Sequence, residues 1–390
     1  ATFTAFRRLL DLCERESPDF LLLAGDVYNQ EDASVSAQLA LRDGFRRLES
    51  LSIPVFLVHG NHDPLASRLR SVRWPGNVTV FGELPDAVPV FRKGEGTPLA
   101  IIHGASHASG RETRNLAALF RRTEACGLHV GLLHATPGDA DGVARYAPFS
   151  QGDLKASGMD YWALGHIHDR REVCREPLAA YPGCTQGLHI NEPGEKGCLL
   201  VTAEARPDGG YAVRTSFRPL GPAVWKTLDM DLGGAASLDE LENRLRTGLD
   251  RAAAEVWSGC EMLLVRLRLQ GRTELDGLLR KGTTCAELAD RLREDGSGVP
   301  RIWIKDIDVA TRPCVERGAL LEREDLLGEV FRLSEAARTA SGLQALREGP
   351  LAPLFAHARA GKALEPLTDE ELARLLDDAE SLCLDLLEND

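Results

Sequence analysis

Four short apolar runs in this chain end where glycine and metal-type ligands begin: "DFLLLAGD", "IPVFLVHGNHD", "LHVGLLHATPG" and "YWALGHIHD". An unbroken apolar run of this length, closed by a turn residue, is the mark of a buried parallel strand. "PLAIIHGASH" repeats the pattern. Helical stretches lie between the runs: Phe6, Leu9, Leu10 and Cys13 sit at helical spacing, and residues 34–51 form a second such stretch. "KGCLLVTAEARPDGGYAVRTSFRPL" reads as an antiparallel hairpin turning at Asp208, Gly209 and Gly210. Residues 1–220 are therefore expected to be α/β with a mixed sheet core. Ligands bind at the strand ends of open α/β folds, which is where the polar residues gather here.

The order changes after "PLGPAVW". Residues 221–316 read strand, helix, strand, helix, strand, a small α+β domain. Its first helix opens with Ser237 and Glu240 spaced as a capping box, and "EMLLVRLRLQG" and "RIWIKDIDV" alternate as half-buried strands do. Residues 317–390 read as helical and acidic.

With 390 residues, 43% hydrophobic and 27% charged, the chain has the composition of a globular protein. No apolar run approaches the roughly 20 residues that span a bilayer. The nine cysteines are scattered and form no Cys-x-x-Cys pair, the usage expected of reduced thiols in a cytoplasmic protein. The net charge of -13 is uneven: residues 1–200 carry 21 Lys+Arg against 24 Asp+Glu, and residues 201–390 carry 25 against 35. That total opposes broad non-specific binding to nucleic acid. Arg68, Arg70 and Arg73, with Arg111, Arg114, Arg121 and Arg122, form either a local basic track in the first half or solvated helix faces.

The strand ends carry Gly25-Asp26, Gly60-Asn61-His62-Asp63, His134 and Gly165-His166-Ile167-His168. A glycine before a ligand removes a side chain and frees the backbone to turn it into a cavity. Carboxylate, amide and imidazole together suit Mn²⁺, Fe²⁺ or Zn²⁺ without thiolate ligands. Two such ions about 3.5–4 Å apart clamp a phosphoryl centre. Singly, a Gly-Asp is a common turn and a His is more often a hydrogen-bonded core or surface residue. The three motifs in this order, each after an apolar strand, point to a metal centre.

Gly25-Asp26, Gly60-Asn61-His62-Asp63 and Gly165-His166-Ile167-His168 resemble the calcineurin-like metallophosphoesterase superfamily. "YAPFSQGDLKASGMDYWALGHIHDRREV" and "YPGCTQGLHINEPGEKGCLLV" are similar to its SbcD-like DNA repair exonucleases, most of all the YhaO-type proteins. The resemblance implies a four-layer αββα sandwich with a small capping domain and a helical C-terminus. It implies that Asp26 bridges two divalent ions, Mn²⁺ by this reading. Asn61, His134 and His166 complete the second metal site, His168 belongs to the first, and His62 stabilises the transition state or protonates the leaving oxygen without binding metal. An activated hydroxide would then attack the phosphodiester of DNA. The family's Asp-x-His motif is absent from this sequence, which opens on a helix resembling the one that follows it, and Asn29 stands where many relatives have Asp or His. His59, His103, His107 and His189 fall outside the ligand motifs, although His189 could approach DNA. Two rivals share the ligands: a phosphoesterase for a non-DNA substrate, and a catalytically impaired DNA-binding scaffold.

Relatives work with an SMC-type coiled-coil ATPase through a helix after the capping domain. Here Leu372, Leu375, Leu376, Ala379, Leu382, Cys383 and Leu386 form an apolar stripe. The stripe is expected either to fold back on its own core or to dock, helix in groove, on that ATPase or on a second copy of the chain as a homodimer.

Overall fold

The computed structural model describes every residue except 29–34, 67–71, 139–144, 208, 295–297, 315–316, 358–366 and 388–390. Asn29, Arg68, Arg70 and Asp208 thus lie outside the described residues. The chain divides into two compact units. One comprises Ala1–Lys226, Glu255–Leu264 and Gly298–Arg301, and the other Thr227–Ala254, Val265–Ser297 and Ile302–Asp390.

The first unit opens with α1 (Thr2–Glu16), β1 (Leu21–Ala24), α2 (Val35–Ser50), β2 (Val55–Val58) and β3 (Val78–Val80). Strands β1, β2 and β3 pair in that order as a parallel sheet. Then come β4 (Asp86–Val90), β5 (Ala100–Ala105), β6 (Leu128–His134), α3 (Gln151–Ala156), β7 (Tyr161–Gly165), β8 (Arg171–Arg175) and β9 (Leu178–Tyr181). These strands make a six-stranded sheet of order β4-β5-β6-β7-β9-β8, parallel inside and antiparallel at both edges. A two-stranded hairpin, β10 (Gly197–Ala205) and β11 (Tyr211–Pro219), closes the unit.

Side-chain alternation along the strands sorts the core into layers. Leu21, Leu23 and Val55 pack with Leu9, Phe45 and Leu48 of α1 and α2. Leu22, Ala24, Phe56 and Val58 face the other way and meet Ile102, Val130, Leu132, Tyr161 and Ala163 of the larger sheet. Leu133, Trp162 and Leu164 point out of that sheet's far side onto Phe120 and Leu154, the latter from α3. The layering is helix, sheet, sheet, helix, the αββα sandwich. Both faces of these strands are buried, which is why their sequences are apolar without alternation.

The second unit is built around the sheet β12 (Ala223–Asp231), β13 (Met262–Thr273) and β14 (Arg301–Pro313), with α4 (Leu238–Ala254), α5 (Asp276–Leu279) and α6 (Thr284–Glu294). On β13, Val265, Leu267 and Leu269 are buried, while Arg266 between them pairs with Asp306 at 2.6 Å. The helices α7 (Arg317–Leu321), α8 (Leu326–Ala337), α9 (Ala340–Glu348), α10 (Ala352–Ala356) and α11 (Asp369–Leu387) follow. Leu384 of α11 joins Leu320, Leu327 and Phe331 in a small core. Beside it the buried Glu380 accepts from Arg317 (2.9 Å) and Arg338 (3.2 Å). Among the described residues no helix is long and apolar enough to cross a membrane.

One polar pair is sealed between β5 and β6. His103 Nε2–H donates to His129 Nδ1 at 2.9 Å, and His129 Nε2–H donates to the Ala125 carbonyl at 2.9 Å. Both rings are buried. Burial, reinforced by the neighbouring imidazole, pushes His103 down to about 4, and burial lowers His129 as well. An unfolded histidine takes its proton near pH 6.5, so the unfolded chain binds protons that these folded rings refuse. Their contribution to stability is complete above about pH 6.5 and falls away as pH drops towards 4. We expect His103→Gln to be less stable than wild type at pH 7 and to lose less stability between pH 6.5 and 4.5. Urea midpoints across that range check this; parallel curves would refute it.

Candidate metal centre

Parallel pairing brings the strand ends together. Past β1 come Gly25 and Asp26; past β2 come His59 to Asp63; β6 ends in His134; β7 ends at Gly165, before His166. His134 and Gly165 are register partners. The first two loops belong to the three-stranded sheet and the last two to the six-stranded one.

The buried carboxylate of Asp63 gathers the first two loops. Its Oδ1 accepts the N–H groups of Gly60 (2.6 Å) and Asp26 (3.2 Å), and its Oδ2 accepts that of Val27 (3.1 Å). His59 Nδ1 lies 3.5 Å from the same carboxylate. Asp26, held in this way at φ 51°, accepts the His62 N–H on Oδ1 at 2.9 Å. The two sheets are tied together at the same point, because His134 donates Nδ1–H to the Ala24 carbonyl at 2.8 Å.

That bond leaves Nε2 of His134 as the free ring nitrogen. It sits 3.0 Å from Asn61 Oδ1 and 3.2 Å from Asp26 Oδ2. His166 brings a ring nitrogen into the group, so that the ligand atoms of Asp26, His134 and His166 lie within 4.8 Å of one another. An ionised carboxylate, an amide oxygen and a bare imidazole nitrogen are all acceptors. Such a set is relieved by a cation, and its mixed donors suit Mn²⁺, Fe²⁺ or Zn²⁺.

Close approach explains two of the glycines. A Cβ on Gly60 would stand 2.2 Å from Asp26 Oδ1 and 2.7 Å from His134 Cε1. Gly25 has φ 91°, and a Cβ there would meet His134 Nδ1 at 2.5 Å. His166 itself holds φ 101°, a region costly to any residue with a Cβ. Its ring meets those of His134 and Tyr146 edge-on, each at 5.2 Å between centroids.

Of the residues expected at the centre, Asp26, Asn61, His134 and His166 are brought together. The exposed His62 is attached to the group through its amide. His168 belongs to a second group, with ligand atoms of Cys184 and Glu192 within 4.8 Å. His103 is occupied in its buried pair. His107 is buried too, donating Nε2–H to the His134 carbonyl at 2.6 Å, and burial lowers it to about 4. Three arginines of the proposed track have local partners. Arg114 pairs with Glu112 at 2.6 Å, Arg122 with Asp160 at 3.0 Å, and Arg121 donates to the Ala118 and Phe120 carbonyls. Sequence reading assigned no role to Asp63, Tyr146 or Glu192. Asp63 stood in plain view as the last letter of "GNHD", but one letter does not reveal that it faces inward onto amides.

Residues 1–170 match the family model described as calcineurin-like phosphoesterase, and residues 225–312 match that of the metallophosphoesterase YhaO middle domain. The chain is 33% identical over 356 residues to the uncharacterized metallophosphoesterase YhaO of Bacillus subtilis (strain 168), covering 90% of this chain and 83% of that one. It is a YhaO-type calcineurin-like metallophosphoesterase. Members of this family are hydrolases of phosphoester bonds that use divalent metals. More distant relatives include the DNA double-strand break repair protein Mre11 of Aeropyrum pernix, 27% identical over 65% of this chain and 63% of that one. The Haloferax volcanii protein of the same name is 24% identical over 85% and 72% respectively. In this metallophosphoesterase the matched segment 1–170 contains Asp26, Asn61, His134 and His166, the four converging residues.

Asp63→Asn would set an amide N–H₂ against main-chain donors. Hydrogen bonds to a charged group contribute about 1.5–3 kcal/mol each. We expect a loss of about 2–4 kcal/mol in urea unfolding, together with weaker Mn²⁺ binding by calorimetry, since Asp26 loses its anchor. Unchanged stability would show that the carboxylate does not organise these loops.

Proposed function

We propose that this metallophosphoesterase is a DNA phosphodiesterase, an exo- or endonuclease acting in DNA repair in the cytoplasm. The observation that carries this reading is the convergence of Asp26, Asn61, His134 and His166 in a chain whose relatives include proteins named for double-strand break repair. By this reading Asp26, Asn61, His134 and His166 hold one divalent ion, and Asp26 and His168 contribute to a second, with Mn²⁺ as the metal. Bound there, divalent ions polarise the phosphoryl group and acidify water at neutral pH. The chain's own residues do the rest. Asp63 and the Ala24 carbonyl hold Asp26 and His134 in place, so the centre is organised before substrate arrives. His62 projects an exposed imidazole from a backbone fixed on Asp26. It can offer positive charge as negative charge develops, or a proton to the leaving oxygen.

The assay is cleavage of linear duplex and single-stranded DNA by the full-length protein with Mn²⁺, with Mg²⁺ and with chelator. Cleavage that depends on Mn²⁺ supports the reading, and inertness towards DNA beside activity on other phosphoesters overturns it. His62→Ala should lower turnover by about 10²–10³ while Mn²⁺ binding persists. His166→Ala should lose the metal. The reverse pattern, read by Mn²⁺ titration beside the assay, would exchange the two roles.

A partner is part of the proposal. On α11 the sequence stripe divides: Leu372 and Leu384 are buried, whereas Leu375, Leu382 and Leu386 are 46%, 58% and 64% exposed. Leu375, Ala379, Leu382 and Leu386 recur at helical spacing as an outward ridge, which we assign to an SMC-type coiled-coil ATPase. Leu375→Glu with Leu382→Glu should leave the thermal melt within about 1 kcal/mol of wild type, as exposed substitutions do, while abolishing co-purification of the ATPase. Retained co-purification would remove the ridge from the interface, and a shift from dimer to monomer in light scattering would assign it to a second copy instead.

A further inference from the structure

We propose that Glu192 is a positioning residue for His168: it fixes which ring nitrogen of His168 carries the proton and so leaves Nε2 open to a metal. This rests on the reading of His168 as a metal ligand.

The evidence is a clamp around one residue. His168 donates Nδ1–H to Glu192 Oε1 at 2.5 Å. The other oxygen of Glu192 accepts the Leu188 N–H at 2.7 Å. Glu192 is only 6% exposed, yet the imidazole it holds is half exposed. A carboxylate taken out of water is costly unless charged or donating groups surround it, and this one is met by an amide and His168, with His189 Nε2 at 3.4 Å. The main chain of His168 is held as well. Its carbonyl accepts the Cys184 N–H at 3.2 Å and the Lys196 ammonium at 3.2 Å, and Lys196 also reaches Asp169 Oδ1 at 3.1 Å. Lys196 is itself 6% exposed. Cys184, Glu192 and Lys196 come from one stretch, "CTQGLHINEPGEK", so a single segment grips both the backbone and the side chain of His168.

The chemical consequence is a choice of tautomer. A metal-binding imidazole offers one nitrogen to the ion and donates the other N–H to a carboxylate or carbonyl, which sets ring orientation and raises basicity. His134 does this with the Ala24 carbonyl through Nδ1. His168 does it with Glu192, also through Nδ1. The two histidines thus present the same atom, Nε2, although His134 ends β6, His168 lies in the loop after β7, and they lean on different partners. A simple tie between loops would need the contact but not this choice of nitrogen.

The test uses the intact protein labelled with ¹⁵N-histidine and, separately, titration with Mn²⁺ alone followed by electron paramagnetic resonance. In metal-free wild type, long-range ¹H–¹⁵N spectra should show His168 protonated on Nδ1; a proton on Nε2 overturns the proposal whatever the variants do. Glu192→Ala should lose that tautomer and weaken Mn²⁺ binding by about 10–100-fold at the site that His168→Ala removes. Glu192→Gln keeps the volume and an acceptor oxygen; it should fall between wild type and Glu192→Ala, and it serves if the alanine variant does not fold. If His168→Ala removes a Mn²⁺ site and neither Glu192 variant weakens it, the positioning role is wrong while the ligand reading stands. If His168→Ala leaves Mn²⁺ binding unchanged, the ligand reading falls and the positioning role with it.

Discussion

One buried carboxylate accepting three main-chain amides organises the candidate metal centre. Asp63 belongs to the loop after β2, yet two of its three donors, Asp26 and Val27, belong to the loop after β1. Neighbouring strands have their own ladder to hold them in register; the loops beyond them have none. Asp63 replaces the missing ladder with charge-assisted bonds, which are stronger than neutral ones. The second tie, from His134 to Ala24, does for the two sheets what Asp63 does for the two loops. With both in place, acceptor atoms that would otherwise repel are kept close together, and Asp26 and His166 beside them hold positive φ.

Much of this was legible in the sequence because the signals were local. An unbroken apolar run marks a strand covered on both faces, and β1, β2, β5, β6 and β7 were all visible that way. Gly60 and Gly25 flagged the crowding that a Cβ would create. What could not be read depended on pairs distant along the chain. β3 and β4 are short and only partly covered, so neither period nor composition marks them. His103 stands near a strand end outside the ligand motifs, and only the fold reveals His129 beside it. That Arg114 and Arg122 have Glu112 and Asp160 beside them is likewise invisible in the sequence. On α11 the apolar positions outnumber those a single face can bury. Pattern alone could not say that Glu380, a charged residue, would take a place inside while Leu382 stayed out.

The buried ionic groups of the two units serve different ends. Glu380 lies among arginines from two helices, so its charge is neutralised where it is desolvated and the three helices are held in one arrangement. Glu192 and Lys196 are likewise buried, but they converge on a residue of the GHIH loop.

The in-register pairing of His134 with Gly165 also governs how such a chain can change over generations. Side chains alternate from face to face along a strand, so adding or deleting one residue within β6 or β7 would turn a candidate ligand away from its partners and exchange the side chains of the two buried layers. An apolar substitution of like volume keeps that alternation, and a change of length does not. The β10–β11 hairpin is different, since its strands, paired out to Ala205 and Tyr211, carry none of the converging residues. A change of length at that turn leaves the spacing inside β6 and β7 untouched.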